Sequence, residues 1–126
     1  MYEYTVKELK RVVDGDTVDI IIDLGFSIGT VQRIRLSGVD APESNAKSKA
    51  ERTLAADARA FVTQWFAANP NPRVRTTKDD KYGRMLGEFF GAESLNEELV
   101  RLGYAWAYDG GTKEKNLDLL LEKRKA

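Results

Sequence analysis

The feature that most constrains this chain is the dipeptide Asp14-Gly15, set between two runs suited to pairing. Residues from about Tyr4 to Val13 alternate loosely, and Thr17 to Leu24 is rich in Ile and Val, so an Asp-Gly pair between them predicts a β-hairpin. Gly25 and Gly29 bracket Phe26 to Ile28, a loop or bulge leading into a third strand from about Thr30 to Ser37. Three strands in succession then give way to a different period.

Ser44-Asn45-Ala46-Lys47 has the composition of a mobile loop, and Ser48 with Glu51 three residues on has the pattern of a capping box. Leu54, Ala58, Phe61, Val62 and Trp65 follow at helical spacing, which predicts a helix from about Lys49 to Ala68, stopped by Asn69-Pro70. Its apolar face is expected to cover the sheet, with Trp65 and Phe66 in the core. Arg73 to Thr77 and Met85 to Phe90 read as two further strands turning through Asp79 to Gly83. A second capping box, Ser94 with Glu97, opens a helix whose apolar face is Leu95, Leu99 and Leu102 and which Gly103 ends. After the aromatic segment Tyr104 to Tyr108, a last helix is expected from about Lys113, with Leu117, Leu120 and Leu121 inward and Lys123, Arg124 and Lys125 in solvent at its negative end. Three strands, a helix, two strands and two helices predict an α+β protein, a five-stranded OB-fold β-barrel with three α-helices, forming one domain over residues 1–126.

Composition narrows the chemistry more than the partner. The chain has neither cysteine nor histidine, which excludes disulfides, thiolate metal sites and imidazole as base or ligand. Catalysis must therefore use carboxylates, arginine, lysine, tyrosine or a metal. Twenty basic residues balance twenty acidic ones, so any attraction to nucleic acid must be local. No apolar run approaches the roughly 18 residues of a membrane span, and Met1-Tyr2-Glu3-Tyr4 does not resemble a signal peptide. An intracellular product is expected if Met1 is the natural start, and nothing demands more than a monomer.

One stretch collects the reactive groups. From Arg33 to Glu43 the chain carries two arginines on a strand and then Asp40, Ala41, Pro42 and Glu43, with the proline stiffening the turn that holds both acids. Carboxylates and turn carbonyls suit a hard cation, and arginine suits a phosphate because its planar fork donates two parallel hydrogen bonds. Acids for a metal beside arginines for a phosphate point to phosphodiester chemistry. By residue type alone, Arg33 serves as well as Arg35.

Taken with Asp14-Gly15-Asp16-Thr17, Asp80-Lys81-Tyr82-Gly83-Arg84 and the run from Leu95 to Gly103, this stretch resembles the staphylococcal-nuclease-like (thermonuclease) family over nearly the whole chain. The resemblance implies a calcium-dependent endonuclease that cuts DNA and RNA with little sequence preference and leaves 3′-phosphate ends. It also implies that Asp16 and Asp40 are the calcium carboxylates, with the Ala41 carbonyl as a further oxygen. Glu43 matches the residue that positions or deprotonates the attacking water. Arg35 and Arg84 match the arginines that hold the phosphate, Lys81 and Tyr82 match residues touching a neighbouring phosphate, and Trp106 and Tyr108 match aromatic positions near the nucleobase. The chain departs from the family pattern at Ala41, where threonine is usual, at Trp106, where tyrosine is common, and in a less basic loop from Ser44 to Lys49.

Each motif alone has a plainer reading. Asp14 to Thr17 needs to be no more than a turn, Lys81 to Arg84 no more than a solvated loop, and alternating aromatics pack as readily as they stack on bases. A catalytically silent module that binds nucleic acid or protein, or a barrel that binds oligosaccharide or peptide, stands beside the nuclease as an alternative. With no histidine, a pH dependence between about 5 and 9 would come from metal-bound water, substrate or a shifted carboxylate.

Overall fold

The computed structural model describes residues 2–78, 85–108 and 116–125. Five strands close into a barrel: β1 (Tyr2–Asp14), β2 (Thr17–Asp23), β3 (Gly29–Leu36), β5 (Arg73–Lys78) and β6 (Met85–Phe90). Their order around the barrel is β1, β2, β3, β6, β5, and β5 pairs back with β1. All neighbours are antiparallel except β3 and β6, which run parallel. The mixed five-stranded barrel with three helices is the expected α+β OB-fold. Three register shifts in β1 let its 13 residues curve and serve both β2 and β5.

Alternation turns Val18, Ile20, Ile22, Ile34, Leu36, Val74 and Phe89 into the barrel, all buried. Helix α1 (Lys49–Ala68) covers this core with Val62, Trp65 and Phe66, and the Phe66 ring meets Phe89 edge-on at 5.3 Å. The helix has the expected limits: the Ser48 hydroxyl accepts from the Glu51 amide, and the Asn69 amide returns to the Trp65 carbonyl. Helix α2 (Leu95–Arg101) buries Leu95 and Leu99. It ends as expected at Gly103, whose φ is +84°, with Tyr104 and Gly103 amides donating to the Leu99 and Val100 carbonyls. Asn96 fastens α2 to the barrel. Its buried amide donates to the Ser37 and Gly87 carbonyls at 2.8 and 3.0 Å and accepts from Phe89 N–H at 3.2 Å.

Several local readings are corrected. The hairpin loop is Gly15-Asp16, not Asp14-Gly15, because Asp14 still pairs with Thr17. Asp40 lies on a two-residue strand, β4 (Val39–Asp40), which pairs with β7 (Trp106–Ala107) in a second small sheet. The last helix, α3 (Leu117–Arg124), starts later than Lys113, after the Asn116 side chain accepts from the Asp118 amide. Leu120 is buried and Leu117 half-buried, but Leu121 is exposed. Lys123 and Arg124 do not simply end α3 in water. They reach across to the end of α2, where Lys123 Nζ donates to the Val100 carbonyl and Arg124 Nε to the Gly103 carbonyl. Among the described residues, no helix is long and apolar enough to cross a membrane.

Gly15 is set by space rather than by backbone angle. A Cβ there would lie 2.7 Å from Ala58 Cβ on α1 and 3.1 Å from Ala41 Cβ. We expect Gly15→Ala to lower stability by about 1–3 kcal/mol through overpacking, read as a reduced urea midpoint. Asn96→Ala removes the side-chain bonds to the Phe89 amide and the Ser37 carbonyl, while the Gly87 carbonyl still accepts from Ser37 N–H at 2.9 Å, and should cost on the order of 3 kcal/mol, with an unchanged m-value if the barrel is retained.

Candidate active site

The site lies where the β1–β2 turn, the end of β3 and the β4–β7 sheet meet. Thr17 and Arg35 face each other across β2 and β3, which brings Asp16, one residue earlier, to the arginine. Arg35 Nη1 lies 3.0 Å from Asp16 Oδ2, and Nη2 lies 3.8 Å from Asp40 Oδ1. All three are buried, Asp16 at 8%, Arg35 at 7% and Asp40 at 4% exposure. Asp16 Oδ2 also accepts from Ala41 N–H at 2.9 Å, and Oδ1 accepts from the Thr17 hydroxyl at 3.0 Å. The turn and the loop after β4 are thus tied through one carboxylate.

Two carboxylates around one guanidinium leave a residual negative charge in a low-dielectric setting, where an unpaired charge is costly. The guanidinium is also incompletely satisfied: among the described residues the buried Arg35 Nη1 has no hydrogen-bond partner of acceptable geometry, despite its 3.0 Å approach to Asp16. A buried donor of this kind suits an oxyanion. Arg33, the alternative by residue type, is exposed and bound to Asp19 through Nε at 2.8 Å and Nη2 at 3.0 Å. The structure therefore separates the two arginines by burial and by partner.

The loop carrying Glu43 is tied down rather than loose. Glu43 N–H donates to Glu51 Oε2 at 3.0 Å, so the acid of the expected capping box turns to the loop. Ser44 donates from N–H and Oγ to Asp14 Oδ1, and Arg52 Nη1 donates to the Ala46 and Lys47 carbonyls at 2.8 Å each. Glu43 itself is exposed, three residues along the chain from Asp40. The anchoring roles of Asp14, Glu51 and Arg52 escaped the sequence reading because a turn residue and two helix-start residues carry no sign of which loop they will hold.

The two aromatic candidates divide. Tyr108 is half-buried, its amide donates to the Gly38 carbonyl at 2.9 Å, and the Arg35 guanidinium lies 6.0 Å from its ring centroid. Trp106 pairs with Asp40 across β4 and β7, packs with Leu54 and Leu120, and donates from its indole N–H to the Asn116 carbonyl at 3.0 Å. Its ring faces the molecule's own core. Lys81, Tyr82 and Arg84 lie outside the described residues.

The donor set suits a hard cation of the calcium type in kind, since Asp16, Asp40 and the Ala41 carbonyl offer oxygen. Among the described residues no three acidic side chains gather as a metal cluster.

Residues 33–126 match the family described as staphylococcal nuclease homologue. The thermonuclease of Staphylococcus intermedius is 38% identical over 104 residues, covering 79% of this chain and 57% of its own length. An uncharacterized endonuclease of Escherichia coli O157:H7 is 33% identical over 101 residues, covering 79% and 58%. The micrococcal nuclease of Shigella flexneri is 30% identical over 113 residues, covering 80% and 57%. The chain spans less than three-fifths of the length of each of these relatives. The family match, the mixed barrel and the motifs from Asp14 to Glu43 agree: the chain belongs to the staphylococcal nuclease homologue family.

Proposed function

We propose that this chain is a calcium-dependent endonuclease that hydrolyses phosphodiester bonds of DNA and RNA with little sequence preference, leaving 3′-phosphate ends. The observation that carries the reading is the buried Arg35, held between Asp16 and Asp40 with an Nη1 donor still lacking an aligned acceptor. The relatives named as thermonuclease, micrococcal nuclease and endonuclease support the same chemistry.

In this reading Arg35 donates to a phosphoryl oxygen and becomes more strongly bound as negative charge grows there. This is preorganised electrostatic stabilisation, because the strand and its two acids already fix the guanidinium. Glu43, exposed on the loop that follows Asp40, orients a water and accepts its proton as the water oxygen bonds to phosphorus. The bond from phosphorus to the 5′-oxygen breaks, that oxygen takes up a proton, and the phosphate stays on the 3′ side. Asp16, Asp40 and the Ala41 carbonyl would hold calcium, which when bound offsets phosphoryl charge and makes a nearby water more acidic. Arg84 supplies the second arginine, Lys81 and Tyr82 touch a neighbouring phosphate, and Tyr108 offers an aromatic face to the base.

Heat-denatured DNA should be cut by wild type with calcium and left intact with chelator, and Asp16→Ala should remove the calcium-dependent cutting. Absence of cleavage by folded wild type in calcium, magnesium and manganese would favour the catalytically silent binding module. Arg35→Lys keeps a buried cation but loses the fork, and Glu43→Gln keeps the shape but loses the base. Each should lower kcat by about 10²–10³, with folding checked by circular dichroism; near-normal rates in both would overturn the assignment of roles.

A further inference from the structure

We propose that Arg33 and Arg11 form a second phosphate-binding subsite on the outer face of the β1–β2–β3 sheet, adjacent to Arg35 and occupied by a backbone phosphate of the same single-stranded substrate. This deepens the phosphodiester reading of the Arg35 site and rests on it.

The placement follows from register. Ile34 and Leu36 point into the barrel, so Arg33 and Arg35 leave the same, outer face of β3. Arg35 stands opposite Thr17 on β2, which stands opposite Asp14 on β1. One rung along the sheet, Arg33 stands opposite Asp19, which stands opposite Arg11. Two residues of an antiparallel strand span about 6.8 Å. That distance is of the order of one nucleotide step along an extended single strand, which is longer than the roughly 3.4 Å axial rise of a stacked one.

The chemistry of this rung differs from that of an ordinary surface ion pair. Two guanidinium groups flank one carboxylate, leaving a net positive charge on an exposed surface, whereas the Arg35 cluster is buried and net negative. Asp19 takes only Nε and Nη2 of Arg33, so Nη1 has no protein partner among the described residues, and the arginine side chain is 55% exposed. Arg11 makes no ion pair among the described residues. Its charge still reaches Asp19, whose carboxyl is held below its ordinary pKa first by the Arg33 hydrogen bond and also by the fields of Arg33 and Arg11. Asp19 works here as a clamp that orients the Arg33 fork and leaves one edge open, which lowers the ordering cost of binding a phosphate. The next rung, Glu8, Ile21 and Val31, carries no cation, so the basic track is one rung long and would reach one further phosphate.

The test compares wild type with Arg11→Gln/Arg33→Gln on oligothymidylates from a dinucleotide to about 8 nucleotides, within the span of a barrel of this type. Both affinity by fluorescence anisotropy and kcat/KM are measured across a salt series. Wild type should gain affinity as the strand lengthens past the Arg35 cleft, and the double variant should lose about 5- to 10-fold of that gain. The variant's slope of log K against log salt should be shallower by about 0.7 for each lost single-strand phosphate contact, with dinucleotide turnover unchanged. Arg33→Lys should retain the slope, because it retains the charge. Equal length dependence and equal slope in wild type and double variant would overturn the subsite even if both cut DNA. If wild type cuts no oligonucleotide, the nuclease reading fails. The anisotropy series then decides the subsite alone: length-dependent binding lost in the variant supports it, and no length-dependent binding in wild type overturns it.

Discussion

The close approach of Gly15 to Ala58 and Ala41 is the constraint on which the rest of this structure depends. Three segments distant in sequence meet there with almost no side-chain volume between them. Because α1 can press against the hairpin turn, the turn is held over the end of the barrel, and Asp16 is carried against Arg35 rather than out into water. The Ala41 amide, brought in by the same contact, then bonds to the Asp16 carboxylate. Packing of small residues thus sets the position of the charged ones. A larger residue at any of the three places would act on the ion cluster indirectly, by moving its frame.

The charge arrangement itself contributes little to stability. A single guanidinium between two buried acids is a poorer stabiliser than an apolar filling of the same volume would be, because burying three charges carries a desolvation cost that two imperfect contacts only partly offset. The unaligned Nη1 donor is a further cost. The surrounding anchors, Asp14 to Ser44 and Glu51 to Glu43, hold the frame around these charges.

Much of this architecture was legible in the sequence, and the exceptions have physical reasons. The barrel strands and α1 declared themselves because period two and period 3.6 run long enough there to stand out; the limits of α1 came directly from Ser48 and Asn69-Pro70. The β4–β7 sheet could not be seen, since two residues have no period and the pairing exists only once α2 and the Tyr108 amide have brought the segments together. For Trp106 the sequence left packing and stacking equally open, because spacing does not reveal which way a ring turns; in three dimensions the ring packs with Leu54 and Leu120. Arg33 and Arg35 were indistinguishable for a related reason. They lie on the same face of one strand, so alternation treats them alike, and only their three-dimensional partners, Asp16 and Asp40 for Arg35 and Asp19 for Arg33, go with one being buried and the other exposed.

The order of strands around the barrel also determines when the molecule can close. The β1–β2–β3 meander contains only local pairings, so it can form early and already sets Thr17 opposite Arg35. Closure is different in kind: Glu3 on β1 meets Arg73 on β5, 70 residues away, and β3 must accept β6 in parallel. Loop entropy has to be overcome before either contact contributes, which places the chain among topologies of high contact order and slow folding. On the ribosome, the free edge of β1 would therefore stay unpaired until β5, ending at Lys78, has emerged, and that of β3 until β6, ending at Phe90, has emerged. In that interval the half-built barrel displays the hydrogen-bonding edges that invite misassembly, and the 20-residue α1, able to form on its own timescale, is the element available to shield the sheet's apolar face.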